Sequence, residues 1–142
     1  MKNAPIVPAP VVRFWLLALF WIAVLFGFSA VPGSAYPQVD IPHADKVVHV
    51  CLYTPLGYLF GKALLAIAAN RVSRAGRWLA RVPALQTAVA VLLTIAYGVT
   101  DEIHQIFVPR RSSDWHDVVA DGIGGVIGAI LARRLFRDGA AD

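Results

Sequence analysis

The sequence predicts an all-α protein, an integral membrane bundle of four transmembrane helices. Three observations predict it. The chain is 58% hydrophobic and only 15% charged over 142 residues, against about 25% charged in an ordinary soluble domain. Its apolar residues come in long blocks rather than at the spacing of a half-buried surface. Its basic residues fall on one side of the topology those blocks define.

The first block, Val11 to Val31, is apolar or weakly polar apart from Arg13, and about 20 such residues cross a hydrocarbon core. It is read as a retained helix. The competing reading is a cleaved signal peptide, with Lys2 and Arg13 as its basic region and Gly33-Ser34-Ala35 as a loose cleavage site. The second block, Val47 to Ala69, is interrupted by His49, Tyr53, Pro55 and Lys62, and the third runs from Ala84 to Thr100. The fourth starts near Trp115 and ends near Phe136, and its cleanest stretch, Gly122 to Ala132, is short. Its first turns therefore carry polar residues into or near the bilayer. Residues 1–10, rich in proline, read as a disordered tail, 11–136 as one membrane domain and 137–142 as a C-terminal tail. Cys51, the single cysteine, excludes an intramolecular disulfide and is expected to fill apolar space.

Orientation follows from basic residues in the short loops. With four spans, one side holds Lys2, Arg13, Lys62, Arg71, Arg74, Arg77, Arg81, Arg133, Arg134 and Arg137, and the other holds Lys46, Arg110 and Arg111. Ten against three places both termini and the Asn70–Pro83 loop on the cytoplasmic side. The loop arginines would then lie against anionic membrane lipid. The net charge of +4 does not indicate a nucleic-acid partner, because these residues flank apolar blocks and form no single patch. The acids do the reverse: Asp40, Asp45, Asp101, Glu102, Asp114, Asp117 and Asp121 fall on the outer side, as do His43, His49, His104 and His116. Acids contribute little to topology, so orientation does not explain this clustering.

Three segments converge at that face. Asp45, His49 and Tyr53 are four apart and share one face of the second helix. Asp101, His104 and Gln105 share a face at the outer end of the third. Asp114, Asp117 and Asp121 form a stripe at i, i+3 and i+7 on the fourth. Ser113 or Asp114 suits a helix cap. Asp121 lies two turns in, where an unpaired carboxylate costs several kcal/mol, so a partner such as Lys46 or Arg111, or a functional role, is expected. Asp101 and Glu102 sit where the helix dipole opposes negative charge, which calls for compensation by His104, Arg110 or a metal. His43 and His116 read as loop or interface residues. Arg110 and Arg111 suit a phosphate or carboxylate through forked hydrogen bonds, or a surface loop with internal salt bridges. Gly57 and Gly61 form G-x-x-x-G, and Gly124, Gly125 and Gly128 a second small-residue face. Both read as close helix packing. Trp15, Trp21, Trp78 and Trp115 read as packing or interfacial anchors.

These segments resemble the VanZ-like family, named for a teicoplanin-resistance accessory protein. The resemblance spans Asp45 to Gly128. It rests on D-K-x-x-H at Asp45, Lys46 and His49, then Tyr53 and Leu56-Gly57. Y-G-x-x-D-E-x-H-Q follows at Tyr97 to Gln105, then F-V-P-x-R at Phe107 to Arg111. Asp117 and the G-x-x-G of Gly125 and Gly128 close it. Family members often carry Gly at the position of Arg110 and Asn at that of Asp121, so this chain adds an acid to the cluster. The resemblance implies a multi-helix membrane protein and supplies no settled activity.

Two main functions are compatible with these residues. The first is a membrane-embedded enzyme or binding site for an anionic envelope molecule: a lipid head group, a lipid-linked precursor or a glycopeptide. Asp101, Glu102, His49 and Asp117 would do acid–base or ligand work, with His49 as the proton carrier. Asp45, Lys46, Tyr53, His104, Gln105, Arg111 and Asp121 would bind. A divalent metal is compatible with this set, oxygen donors favouring Mg²⁺, Ca²⁺ or Mn²⁺ and added histidine favouring Zn²⁺. No nucleophile with a dedicated base is visible. The second function is a non-catalytic accessory protein in the envelope that uses the same cluster for recognition. A proton-coupled transporter is a third, for which four helices would need a homodimer.

Overall fold

The structure, a computed structural model, describes residues 8–36, 42–70 and 73–138. Lys2, Asp40 and Arg71, which the sequence assigns to one side or the other, lie outside these residues, as do most of the two expected tails. Five α-helices and no strand occur among the described residues: α1 (Ala9–Ser29), α2 (Ala44–Ala69), α3 (Arg74–Arg81), α4 (Pro83–Gln105) and α5 (Trp115–Asp138). Proline at the first turn starts α1 and α4, where its missing N–H is no loss. The first helix thus begins at Ala9, inside the stretch expected to be disordered.

Among the described residues, α1, α2 and α4 are long and apolar enough to cross a membrane. α5 has the length, 24 residues, and is the least apolar on average of the four long helices. Its two faces explain the difference: Val119, Ile123, Val126, Ile127, Ile130 and Leu131 are exposed on the outward one, while acids and glycines occupy the inward one.

α2 packs against every other helix. Side-chain contacts fix the directions. Trp21 Nε1 of α1 donates to the Leu52 carbonyl at 2.9 Å, and Tyr97 Oη of α4 donates to the Ile22 carbonyl at 3.1 Å. α2 and α5 run parallel, because Gly57 lies against Gly125 and Gly61 against Ala129. The glycine faces are therefore a packing seam, as expected. A Cβ on Gly57 would come within 2.6 Å of the Gly125 Cα and carbonyl oxygen. Leu56, Phe60, Leu64, Ala90 and Ala129 fill the core, and Trp15 packs on Phe60 with ring centroids 5.6 Å apart. Trp78 and Trp115 are exposed near helix ends, which fits the anchoring role better than the packing one. Cys51, expected to fill apolar space, is instead on the outer surface. Leu16, Phe20 and Leu92 are exposed there too. An outer surface so rich in large apolar side chains matches hydrocarbon rather than water.

Two loops tie the polar end together. Gly33 opens a 3₁₀ turn (Gly33–Ala35) and its N–H donates to the Pro109 carbonyl at 3.1 Å. Arg110 in the facing loop has φ 57°, in the left-handed region. Glycine would adopt that region without the Cβ penalty of about 1–2 kcal/mol.

Candidate functional site

The N-terminal ends of α2 and α5 and the C-terminal end of α4 meet at one end of the bundle, and their polar stripes touch. Lys46 lies at the centre of an ion cluster. Its Nζ is 2.9 Å from Asp45 Oδ2, 2.6 Å from Asp114 Oδ2 and 2.6 Å from Asp117 Oδ1. Asp114 also caps α5, accepting the His116 N–H at 3.0 Å. Hydrogen bonds from the Lys46 side chain, then from the His116 backbone and ring, hold the Asp114 carboxyl well below the usual carboxylate range. Asp114 carries more of the site than a cap does, and its place at the head of the i, i+3, i+7 stripe was the available signal.

One turn deeper, His49 Nδ1 lies 2.8 Å from Asp121 Oδ1. Asp121 is 0% exposed, and its partner is therefore His49, not the expected Lys46 or Arg111. On the neighbouring helix, Asp101 Oδ2 accepts from Tyr53 Oη at 3.1 Å and Gln105 Nε2 at 3.3 Å. Glu102 Oε2 accepts the Asp114 N–H at 2.7 Å. These two acids are thus compensated by neutral donors, not by His104 or Arg110. Asp101, Glu102, Asp117 and Asp121 are all buried. Within this group, Asp101 Oδ1 and Asp121 Oδ2 have no hydrogen-bond donor. Four buried carboxyl groups against one lysine and one histidine leave an excess of negative charge. Buried ions are tolerated only when paired, so the excess needs protons or a cation.

Three expected members lie outside the group of buried carboxyls. His104 packs at a tilt on Phe26 of α1, centroids 4.5 Å apart, and its Nε2 has no hydrogen-bond partner. Asp45 is largely exposed, with its side chain 61% accessible. Arg111 donates to the Val31 and Phe28 carbonyls, each at 3.3 Å, and its guanidinium lies 4.3 Å from the Tyr36 ring centroid. It therefore ties the loop to α1. With five donors on a guanidinium, these two bonds leave others for a ligand.

A cavity of about 550 Å³ opens between α1, α2 and α4 at this end. Leu25, Phe28, Val48 and Leu52 form apolar walls. His49, Tyr53, Asp101 and Gln105 form a polar floor, with Arg111, Tyr36 and Asp45 also lining it. The contribution of α1 had no sequence signal, because Leu25 and Phe28 are indistinguishable from the surrounding apolar run.

No curated protein and no solved structure matches this chain. The family model described as VanZ/LLP1 matches residues 14–137, a range holding nearly all of the helical bundle and the whole polar cluster. Together with the three apolar helices this makes it a membrane protein, and the chain belongs to the VanZ/LLP1 family.

Proposed function

We propose that this chain is a four-span protein of the bacterial inner membrane whose outward end binds an anionic envelope amphiphile. The ligand class is a lipid head group, a lipid-linked precursor or a glycopeptide. The observation that carries the reading is the divided lining of the cavity. Apolar walls from α1 and α2 suit an acyl or prenyl chain. The carboxylate floor accepts hydrogen bonds from sugar hydroxyls or ammonium groups, and the spare donors of Arg111 suit a phosphate or carboxylate. Apolar pockets with a few convergent polar groups are the usual form of a small-molecule site.

The fourth span is α5. Its 24 residues extend about 36 Å at 1.5 Å per residue, enough for a hydrocarbon core of about 30 Å. Its apolar face points outward while Asp117 and Asp121 lie within the bundle. The basic residues put both termini and α3 in the cytoplasm. α1 is retained on this reading, since Leu25, Phe28 and Ser29 line the cavity. Reporter fusions in the Asn70–Pro83 segment should be active only as cytoplasmic reporters, and periplasmic activity there would overturn the topology.

Binding is tested with purified protein in nanodiscs, by titration with a polyprenyl-phosphate-linked sugar and with phosphatidylglycerol. Ala44 lines the cavity away from the core. Ala44→Trp should lower affinity at least tenfold, and Arg111→Ala by about tenfold, or 1.4 kcal/mol. Unchanged affinity in Ala44→Trp protein would refute the cavity as the binding site.

A further inference from the structure

Three ligand-type atoms from three helices converge at the polar end. His49 of α2, Glu102 of α4 and Asp117 of α5 each present one, and all lie within 4.8 Å of one another. His49 is fixed from behind by the fully buried Asp121, 2.8 Å from its Nδ1. An ionised carboxylate only accepts, so the Asp121 contact places the ring hydrogen on Nδ1. Nε2 of the neutral ring is then a lone pair, and it lies 3.9 Å from Asp117 Oδ2, another acceptor. The Lys46 ammonium is engaged on the opposite oxygen, Asp117 Oδ1, at 2.6 Å. Acceptor facing acceptor in a buried site is unfavourable until a proton or a metal cation stands between them.

A buried carboxylate behind a histidine is also how metal-ligating imidazoles are held in tautomer and orientation. It is a feature that a simple acidic cluster lacks. A second observation points the same way: Asp121, fully buried behind His49, keeps Oδ2 with no hydrogen-bond donor, so the group is short of positive charge. Donors around an ion at about 2.1 Å in tetrahedral geometry stand about 3.4 Å apart. The three side chains would have to draw in by roughly 1 Å or less, within the reach of side-chain rotation.

We infer that His49, Glu102 and Asp117 bind a divalent cation, with Asp121 as the positioning residue behind His49. One imidazole with two carboxylates suits Zn²⁺ or Mn²⁺ better than Ca²⁺ or Mg²⁺, which prefer oxygen alone. Three protein ligands leave a coordination position open, as at sites that also take a substrate or water. The inference deepens the amphiphile reading and rests on it in one respect. Because His49 lines the cavity, the ion would provide a counter-charge for a bound phosphate next to an otherwise acidic floor.

The test is calorimetric titration of the metal-stripped full chain in detergent with Zn²⁺, Mn²⁺, Ca²⁺ and Mg²⁺ in turn, without lipid, alongside thermal melting. The expected result is one equivalent bound and a raised Tm. Glu102→Gln and Asp117→Asn should weaken uptake at least tenfold. Asp121→Asn should weaken it by about 10–100-fold, the usual effect of losing a carboxylate behind a ligating histidine. Lys46→Gln should bind the ion more tightly, because it removes a competing positive charge from Asp117. A purely structural ion cluster predicts no such gain. No uptake by the natural protein, or equal uptake by folded Glu102→Gln and Asp117→Asn, would overturn the site. Should both of those variants fail to fold, Lys46→Gln decides, and uptake no tighter than in the natural protein overturns it. Uptake of Ca²⁺ or Mg²⁺ in preference overturns the ion class. Amphiphile binding measured separately with chelator present keeps the two failures distinct: loss of lipid binding leaves the ion site standing, and loss of ion uptake leaves the cavity standing.

Discussion

Gly57→Ala and Gly128→Ala should each destabilise the protein by about 3 kcal/mol, at the upper end of the usual cost of overpacking. A Cβ on Gly57 would stand 2.6 Å from Gly125 Cα and its carbonyl oxygen, and one on Gly128 would press on the Thr54 carbonyl. Both obstacles are backbone, so no rotamer change relieves them. The helices must part. Gly27→Ala is the contrast, since a Cβ there meets nothing within 4 Å. It should be neutral or stabilising by up to about 1 kcal/mol through helix propensity. Melting temperature and yield in detergent separate the two kinds of site. The effect should reach the polar end as well, because α2 carries Lys46, His49 and Tyr53 while α5 carries Asp117 and Asp121. Parting them by even an ångström misaligns the His49–Asp121 contact. If Gly57→Ala protein melts like the parent, the parallel α2–α5 seam is wrong.

What was legible in the sequence was whatever apolar surroundings made conspicuous. Charged residues inside apolar blocks stand out, and so do glycines at i and i+4. Both the seam and the convergence of three polar stripes were readable from them. Finer placement was not. The i, i+3, i+4 spacing suggests one face for Asp101, His104 and Gln105, but at about 100° per residue His104 and Gln105 lie on opposite flanks of Asp101. Gln105 accordingly turns toward Glu102 and bonds both acids, while His104 turns to Phe26 of α1. α3 is not legible as a helix because eight arginine-rich residues between two spans look like a loop, and only Ser73, whose Oγ accepts the Gly76 N–H at 2.9 Å, marks its start. α5 is the least apolar of the four long helices because acids and glycines fill its inward face, and a mean conceals the apolar outward one. The cavity wall from α1 depends on how an apolar helix is rotated, which an all-apolar run leaves undetermined.

Lys46→Gln should cost about 2–3 kcal/mol, somewhat less than the 3–5 kcal/mol for breaking a fully buried pair, because the lysine side chain remains 21% exposed. Its three carboxylate partners differ in exposure: 9% for Asp117, 35% for Asp114 and 61% for Asp45. Coulomb attraction strengthens as water is excluded, so the ammonium is coupled most strongly to Asp117 and least to Asp45. A double-mutant cycle tests that order. In the Lys46→Gln background, Asp117→Asn should recover about 1–2 kcal/mol by removing the buried charge left unpaired. Asp45→Asn should recover less than about 0.5 kcal/mol, as for an ordinary exposed pair. Asp114→Asn should fall between, since asparagine still caps α5 while the carboxylate charge goes. Equal recovery at all three positions would mean that Lys46 acts on the cluster only through a diffuse field, and the geometry around its Nζ would not matter. The same variant bears on the cation site. An ion bound by Asp117 supplies the positive charge that the glutamine lacks, so Zn²⁺ should raise the melting temperature of the Lys46→Gln protein more than that of the parent.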